Sequence, residues 1–414
     1  MVPQTMGSET NIKLPFSFIL FSVIAIVVSQ IIFFINGDAL ISGSFRTPPI
    51  WSAAHLFILG WALMIAMGSM YQLVPVAFLT PIWNEKFGFL QFTVTALGIV
   101  WFAAALYLAP HQALIPGILM LSGILMFLIQ MGMTLRKQAK PNVLTLFVGS
   151  ALVCLLLTIL LGITLVISMR TGFARDVYFS LFKSHLLLGT AGWFTLLIFG
   201  FSYKMAPMFA LSHGYSMKLA KLVYVFYLSG LIFVVLSFFA EMPIFLKSGF
   251  CLLLVGFCLF VWHINTILKK RVKKKLDRPF SFALLAIVFG AIIHLAAFIA
   301  TVTDTFSHWV GPLMVLYLML WIAFSIIGYL YKIVPFLWWT HKYSKIIGKQ
   351  EVPALKDMIN EKLALPLFIA FTTGVILVAF GLVTKIDSLF YVGQLMNTAA
   401  SLIFGVAIIS VMRK

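Results

Sequence analysis

The chain has 414 residues, of which 62% are hydrophobic and only 10% charged, and its formal net charge is +18. A soluble domain carries charge on about a quarter of its residues, so a water-soluble enzyme is excluded at the level of class. Apolar runs of about 20 residues, the length that crosses a bilayer core, recur from end to end.

In chain order these runs predict twelve membrane-spanning helices, at 14–35, 51–76, 88–109, 112–135, 142–169, 178–209, 218–241, 244–268, 280–303, 307–337, 363–384 and 387–412. The chain reads as an all-α polytopic membrane protein whose partner is the lipid bilayer. The first run is too long for the apolar core of a signal peptide and lacks a small-residue cleavage site, so it is expected to remain as a helix. Basic residues crowd one set of alternate loops: "RKQAK" at 136–140, "KKRVKKKLDR" at 269–278 and the Lys-rich stretch 342–362. The opposite set contributes mainly Arg46, Arg170, Arg175, Lys247 and Lys385. Positive charge accumulates on the cytoplasmic side, which places both termini in the cytoplasm of a cell-membrane protein. The 269–278 run is explained by contact with anionic lipid rather than with nucleic acid. Cys154, Cys251 and Cys258 lie inside apolar runs, and no CxxCH is present; packing is their expected role, and covalent haem attachment is not supported.

A motif recurs on the second, sixth and tenth spans. Gly60-Trp61, Gly68, Tyr71 and Pro75 are matched at identical spacings by Gly192-Trp193, Gly200, Tyr203 and Pro207. Leu320-Trp321, Gly328, Tyr331 and Pro335 form a third copy. The twelve spans therefore divide into three parallel four-helix repeats, about 14–135, 142–268 and 280–412, within one membrane domain. Each motif residue has a structural role: glycine for close helix approach, tyrosine for the interface, proline to limit the helix. The motif predicts architecture, not chemistry.

Eight histidines carry the chemistry. His111, His213 and His341 fall in loops or at helix ends, His263 closes the eighth span beside the basic loop, and His308 opens the tenth. His55, His185 and His294 fall in the outer half of the membrane, where polar side chains face the bundle interior and mark functional sites, and a neutral imidazole is the commonest metal ligand. His55 precedes Trp61 by six residues and His185 precedes Trp193 by eight. On ideal helices that difference is about 3 Å of rise and about 200° of azimuth, so the two are not exact symmetry mates. Arg46 precedes His55, while Arg175 and Lys183 precede His185. All three cations are expected at the outer interface, where they would meet the propionates of a haem held deeper.

The stretch "RTPPIWSAAHLFILGW", followed by "GSMYQLVP", the count of twelve spans and the histidines on second helices resemble subunit I of the haem–copper oxidases. They also resemble the small subunit-I-like and nitric-oxide-response membrane proteins of the same plan. That resemblance implies haem as cofactor, with His55 as axial ligand and His185 as a ligand of the copper or second-haem region. His294, His308 or Met314 are candidates for the opposite face of the haem. It implies electron transfer or NO or O₂ binding, supplied by a respiratory-chain electron donor. The chain departs from the family in having no paired histidines on the seventh span and no His-x-His on the tenth. A complete oxygen-reducing centre, a stoichiometric copper and proton pumping are therefore not expected. The competing reading is a transporter, or a haem- or metal-handling assembly factor of the respiratory chain, in which the same histidines and Lys183 would line a transient path.

Overall fold

The computed structural model describes residues 10–360 and 362–414. Among these residues the regular structure is helical, apart from the isolated bridges of Ser212 with Arg271 and Ile347 with Gln350. Twelve helices are long and apolar enough to cross a membrane: α1 Lys13–Ile35, α2 Pro48–Phe78, α3 Glu85–Leu108, α4 Leu114–Leu135, α5 Val143–Thr171, α6 Arg175–Ala210, α7 Lys218–Ala240, α8 Pro243–Lys269, α9 Arg278–Val302, α10 Phe306–Tyr343, α11 Ala364–Thr384 and α12 Asp387–Val411. They coincide with the twelve expected spans. Entry into several is set locally. Asn84 accepts from the Phe87 N–H at the start of α3, and Asn142 forms a capping box with Thr145 at the start of α5. These side chains satisfy donors that the first turn of a helix leaves open.

The helices fall into two compact units. One comprises Met1–Gln138, Arg278–Phe282 and Ile326–Lys414; the other comprises Ala139–Asp277 and Ala283–Ser325.

In the first unit, α2 lies against α1 at two glycines. A Cβ on Gly60 would stand 2.8 Å from the Ala25 methyl, and one on Gly68 would stand 2.7 Å from Phe18 Cβ. Lipid tails offer no hydrophobic drive for helix association, so the contact depends on side chains small enough to let backbones meet. The Tyr71 ring lies 5.6 Å from Phe18 and 6.3 Å from Phe127 of α4. α3 and α4 touch backbone to backbone at Gly98 and Gly123, and α11 and α12 do so at Gly374 and Gly393.

Inside the second unit the same contacts return. A Cβ on Gly192 would stand 2.9 Å from Cys154 Sγ of α5, and one on Gly200 would stand 3.0 Å from Phe147 Cβ. Tyr203 packs 5.7 Å from Phe147 and 5.5 Å from Phe260 of α8. α7 and α8 meet through Gly230, Gly249 and Gly256. The tyrosine of the third motif behaves alike within the first unit, since Tyr331 lies 5.8 Å from Phe404 of α12.

All three motif helices contain a π-helical stretch around the buried tryptophan: Leu56–Leu63 in α2, Leu188–Thr195 in α6 and Tyr317–Ala323 in α10. Such stretches are rare and concentrate at functional sites. Five π-helical residues lie between each histidine and its tryptophan, 56–60 in α2 and 188–192 in α6. The two further residues after His185 are α-helical, so the offset of about 3 Å and about 200° between the two histidines stands.

The prolines depart from expectation as well. Pro75, Pro207 and Pro335 lie inside helices rather than ending them. Proline removes the N–H that would bond the carbonyl four residues earlier; in each motif that carbonyl belongs to the tyrosine. For Tyr71 the loss is made good by the Thr10 hydroxyl, which donates to its carbonyl at 3.2 Å. α2 and α6 then stop alike, on the left-handed residues Leu79 and Leu211, at φ 52° and 54°. α10 continues to Tyr343, beyond the expected end at residue 337.

Candidate functional site

Each of the three singled-out histidines is anchored through Nδ1 to a main-chain carbonyl. His55, half-buried at the head of the π stretch of α2, holds the Trp51 carbonyl at 2.7 Å and sets its ring edge-on to Phe102, 5.3 Å away. His185 of α6, also half-buried, holds the Thr158 carbonyl of α5 at 2.9 Å. Gly162 of α5 makes room for that ring, since a Cβ there would lie 3.0 Å from Cε1 of His185. His294 of α9 holds the Gly290 carbonyl at 2.7 Å. A carbonyl only accepts, so Nδ1 carries the proton in all three and the lone pair of each neutral ring lies on Nε2. Imidazoles that ligate metals are oriented in this way by their other nitrogen.

The second unit brings His185 and His294 into its helices, whereas His55 belongs to the first unit. Among the described residues, no three His, Cys, Asp or Glu side chains gather as a metal-binding group. The cations sit at the N-terminal ends of the same helices. Arg46 is exposed just before α2, and Arg175 is exposed at the first residue of α6. Lys183 is exposed two residues before His185, with its ammonium 5.8 Å from the centre of the Phe238 ring of α7.

At His294 Nε2 is engaged as well, by the Tyr227 hydroxyl of α7 at 3.3 Å. That hydroxyl also meets Tyr317 of α10 at 3.3 Å, and Tyr317 meets the Thr195 hydroxyl of α6 at 2.6 Å. The Trp321 indole N–H donates to Thr195 at 2.9 Å. Tyr317 opens the π stretch of α10 and Thr195 closes that of α6, so two of the motif distortions deliver their side chains to one buried polar cluster. Phe257 of α8 covers the imidazole, with ring centres 4.2 Å apart.

Sequence reading had no signal for Thr195 or Tyr227 as partners of His294. A hydroxyl in mid-span was the available clue, but pairing across four helices is a tertiary fact. His263, at the end of α8, is buried, at 2% exposure. It donates from Nε2 to the Ser216 carbonyl at 2.8 Å and accepts the Tyr203 hydroxyl at Nδ1, at 3.2 Å. It thereby ties the motif tyrosine of α6 to the loop that follows. Partial burial in that loop pushes the Tyr215 hydroxyl above its usual pKa. His111, His213, His308 and His341 are exposed.

Comparison of the chain with protein-family models found no match, and comparison with curated proteins found none either.

Proposed function

We propose that this chain is a multi-pass haem protein of the cell membrane, built on the ground plan that subunit I of the haem–copper oxidases exemplifies. The observation that carries the reading is the fixed tautomer of His55 and His185. In both rings Nδ1–H is spent on a main-chain carbonyl, which aims Nε2 as a Lewis base. That anchoring stands at the heads of two helices that share a motif.

These residues fit a haem on the chemistry of their donors. His55 would hold the iron, His185 would ligate a second metal or border a gas site, and exposed Arg46, Arg175 and Lys183 would meet carboxylates at the ends of the same helices. A bound haem would supply one-electron transfer or the binding of a diatomic gas such as NO or O₂. His294 leaves the ligand set, because Gly290 and Tyr227 take both of its nitrogens. The proposal includes no oxygen-reducing centre, since α7 carries no histidine, whereas the family has a pair on its seventh helix.

Three parallel four-helix repeats belong to the same proposal. They are supported by the recurrence of glycine contacts, of Tyr–Phe pairs and of π stretches at corresponding positions. Basic loops on one side support cytoplasmic termini, and electrons would come from a respiratory donor.

The test is an optical spectrum of the detergent-purified protein, oxidised and reduced, with haem extraction and metal analysis on the same sample. The expected result is a Soret band that shifts on reduction, lost in His55→Ala and kept in His213→Ala, with copper below one per chain. A colourless protein made with haem in ample supply, or equal spectra for the two variants, would overturn the axial assignment and favour transport or assembly.

A further inference from the structure

Donor and acceptor accounting orders the buried cluster of the second unit. The Gly290 carbonyl forces the proton of neutral His294 onto Nδ1, so Nε2 accepts and Tyr227 must donate to it. With its one hydrogen spent, the Tyr227 oxygen accepts from Tyr317, and Tyr317 in turn accepts from Thr195. Thr195 accepts from the indole N–H of Trp321, which donates only. The chain therefore runs one way, from Trp321 through three hydroxyls to His294.

The reverse order is equally complete. If Nε2 carries a proton it donates to Tyr227, Tyr227 donates to Tyr317, and Tyr317 donates to Thr195. The Thr195 hydrogen then turns to the Thr190 carbonyl, which stands within reach at 3.5 Å. Trp321 still donates to Thr195, whose oxygen has two lone pairs. No donor and no acceptor is stranded in either state.

The geometry points to a proton-binding site at His294 in the membrane interior, served by a hydroxyl chain that reverses direction when the site fills. The ligand is a proton taken from water. One N–H bond forms at Nε2, three hydroxyls rotate, and no electron moves. Burying a charge is costly unless it is paired and hydrogen-bonded; the reversed chain supplies the hydrogen bonds and turns three oxygen dipoles toward the imidazolium. Titratable neighbours are few. Tyr227 of α7 and Tyr317 of α10 face the ring, Phe257 of α8 covers it, and Cys154 of α5 acts electrostatically on Tyr227. The contacts described for His294 include no carboxylate and no cationic side chain. Intramembrane groups of this kind serve to move or store protons, and a proton held here offsets negative charge entering a medium of low dielectric.

This inference does not depend on haem and is tested on the protein without cofactor. Nitrogen-15 NMR of labelled histidine in nanodiscs, with His294→Gln for assignment, reads the tautomer. Infrared spectroscopy of the tyrosine C–O stretch, with Tyr227→Phe and Tyr317→Phe for assignment, reads the hydroxyls. At about pH 8 His294 is expected as the neutral Nδ1–H form, and acidification to below about pH 4 should protonate it while shifting both tyrosine bands together. Hydrogen bonds to charged groups are worth enough that Tyr227→Phe should weaken proton binding about tenfold or more. Thr195→Ser, which keeps the hydroxyl, should titrate like the wild type. An imidazole that stays neutral down to about pH 3, or that titrates while the tyrosine bands stand still, would overturn the site.

Discussion

Adding one methyl group at Gly230 should separate two helices that now touch backbone to backbone. A Cβ built there lies 2.7 Å from the Leu253 amide nitrogen and 2.9 Å from the Gly249 carbonyl oxygen of α8. Neither atom belongs to a flexible side chain, so relief must come from movement of the helices. Ordinary contact begins near 3.4 Å, and α7 and α8 would have to part by about 0.7 Å. The glycines on the other side of the seam would feel it, because Gly249 and Gly256 rest on the backbone at Val234 and Tyr227. Overpacking of this kind costs about 1–3 kcal/mol. Gly149 of α5 is the control, since a Cβ there meets nothing within 4 Å. There the gain in helix propensity, up to about 1 kcal/mol, is unopposed. Thermal unfolding of the detergent-solubilised protein, followed by intrinsic fluorescence, should therefore show Gly230→Ala less stable than wild type and Gly149→Ala at least as stable. Equal stability of the two variants would refute the argument that backbone proximity, rather than glycine content, holds the seam.

Two further perturbations address the motif. Thr10→Val keeps the shape of the side chain but strands the Tyr71 carbonyl that Pro75 cannot serve, which should cost about 0.5–1.5 kcal/mol; in a Pro75→Ala background the restored N–H should erase that cost, and a penalty equal in both backgrounds would disprove the pairing. His263→Leu removes the donor to Ser216 and leaves the buried Tyr203 hydroxyl unpaired, so the 211–217 loop should be cut faster in limited proteolysis; an unchanged cleavage rate would show that the loop is held by other contacts, such as the Lys270 ammonium on the Gly214 carbonyl.

Much of this protein was legible in one dimension. Hydropathy is a local property, and a run of apolar residues long enough to cross a bilayer forms a helix because its backbone groups have no other partner there. The twelve helices could therefore be located from the chain alone. Uncommon residues repeating in register, Trp61, Trp193 and Trp321 above all, could likewise be found by inspection, and each proved fully buried. His55, His185 and His294 stood out because an imidazole in an apolar run is chemically expensive.

What the sequence could not disclose depends on which atoms meet across helices. The π stretches lie between each histidine and its tryptophan, and hydrophobic spacing carries no mark of them. The prolines looked like helix ends, yet the helix passes through Pro75 because Thr10, far away in the chain, supplies the missing donor. His263 is buried with both nitrogens engaged, by Tyr203 and by the Ser216 carbonyl, partners its place in the chain does not announce. His294 read as a companion of His55, but three hydroxyl groups and an indole from other helices make it the end of a directed chain. Composition and order along the chain determine where helices form, because bilayer solvation acts on each segment separately. The partners of a buried polar group are decided only when helices pack, since a hydrogen bond is satisfied by position in space and not by neighbourhood in sequence.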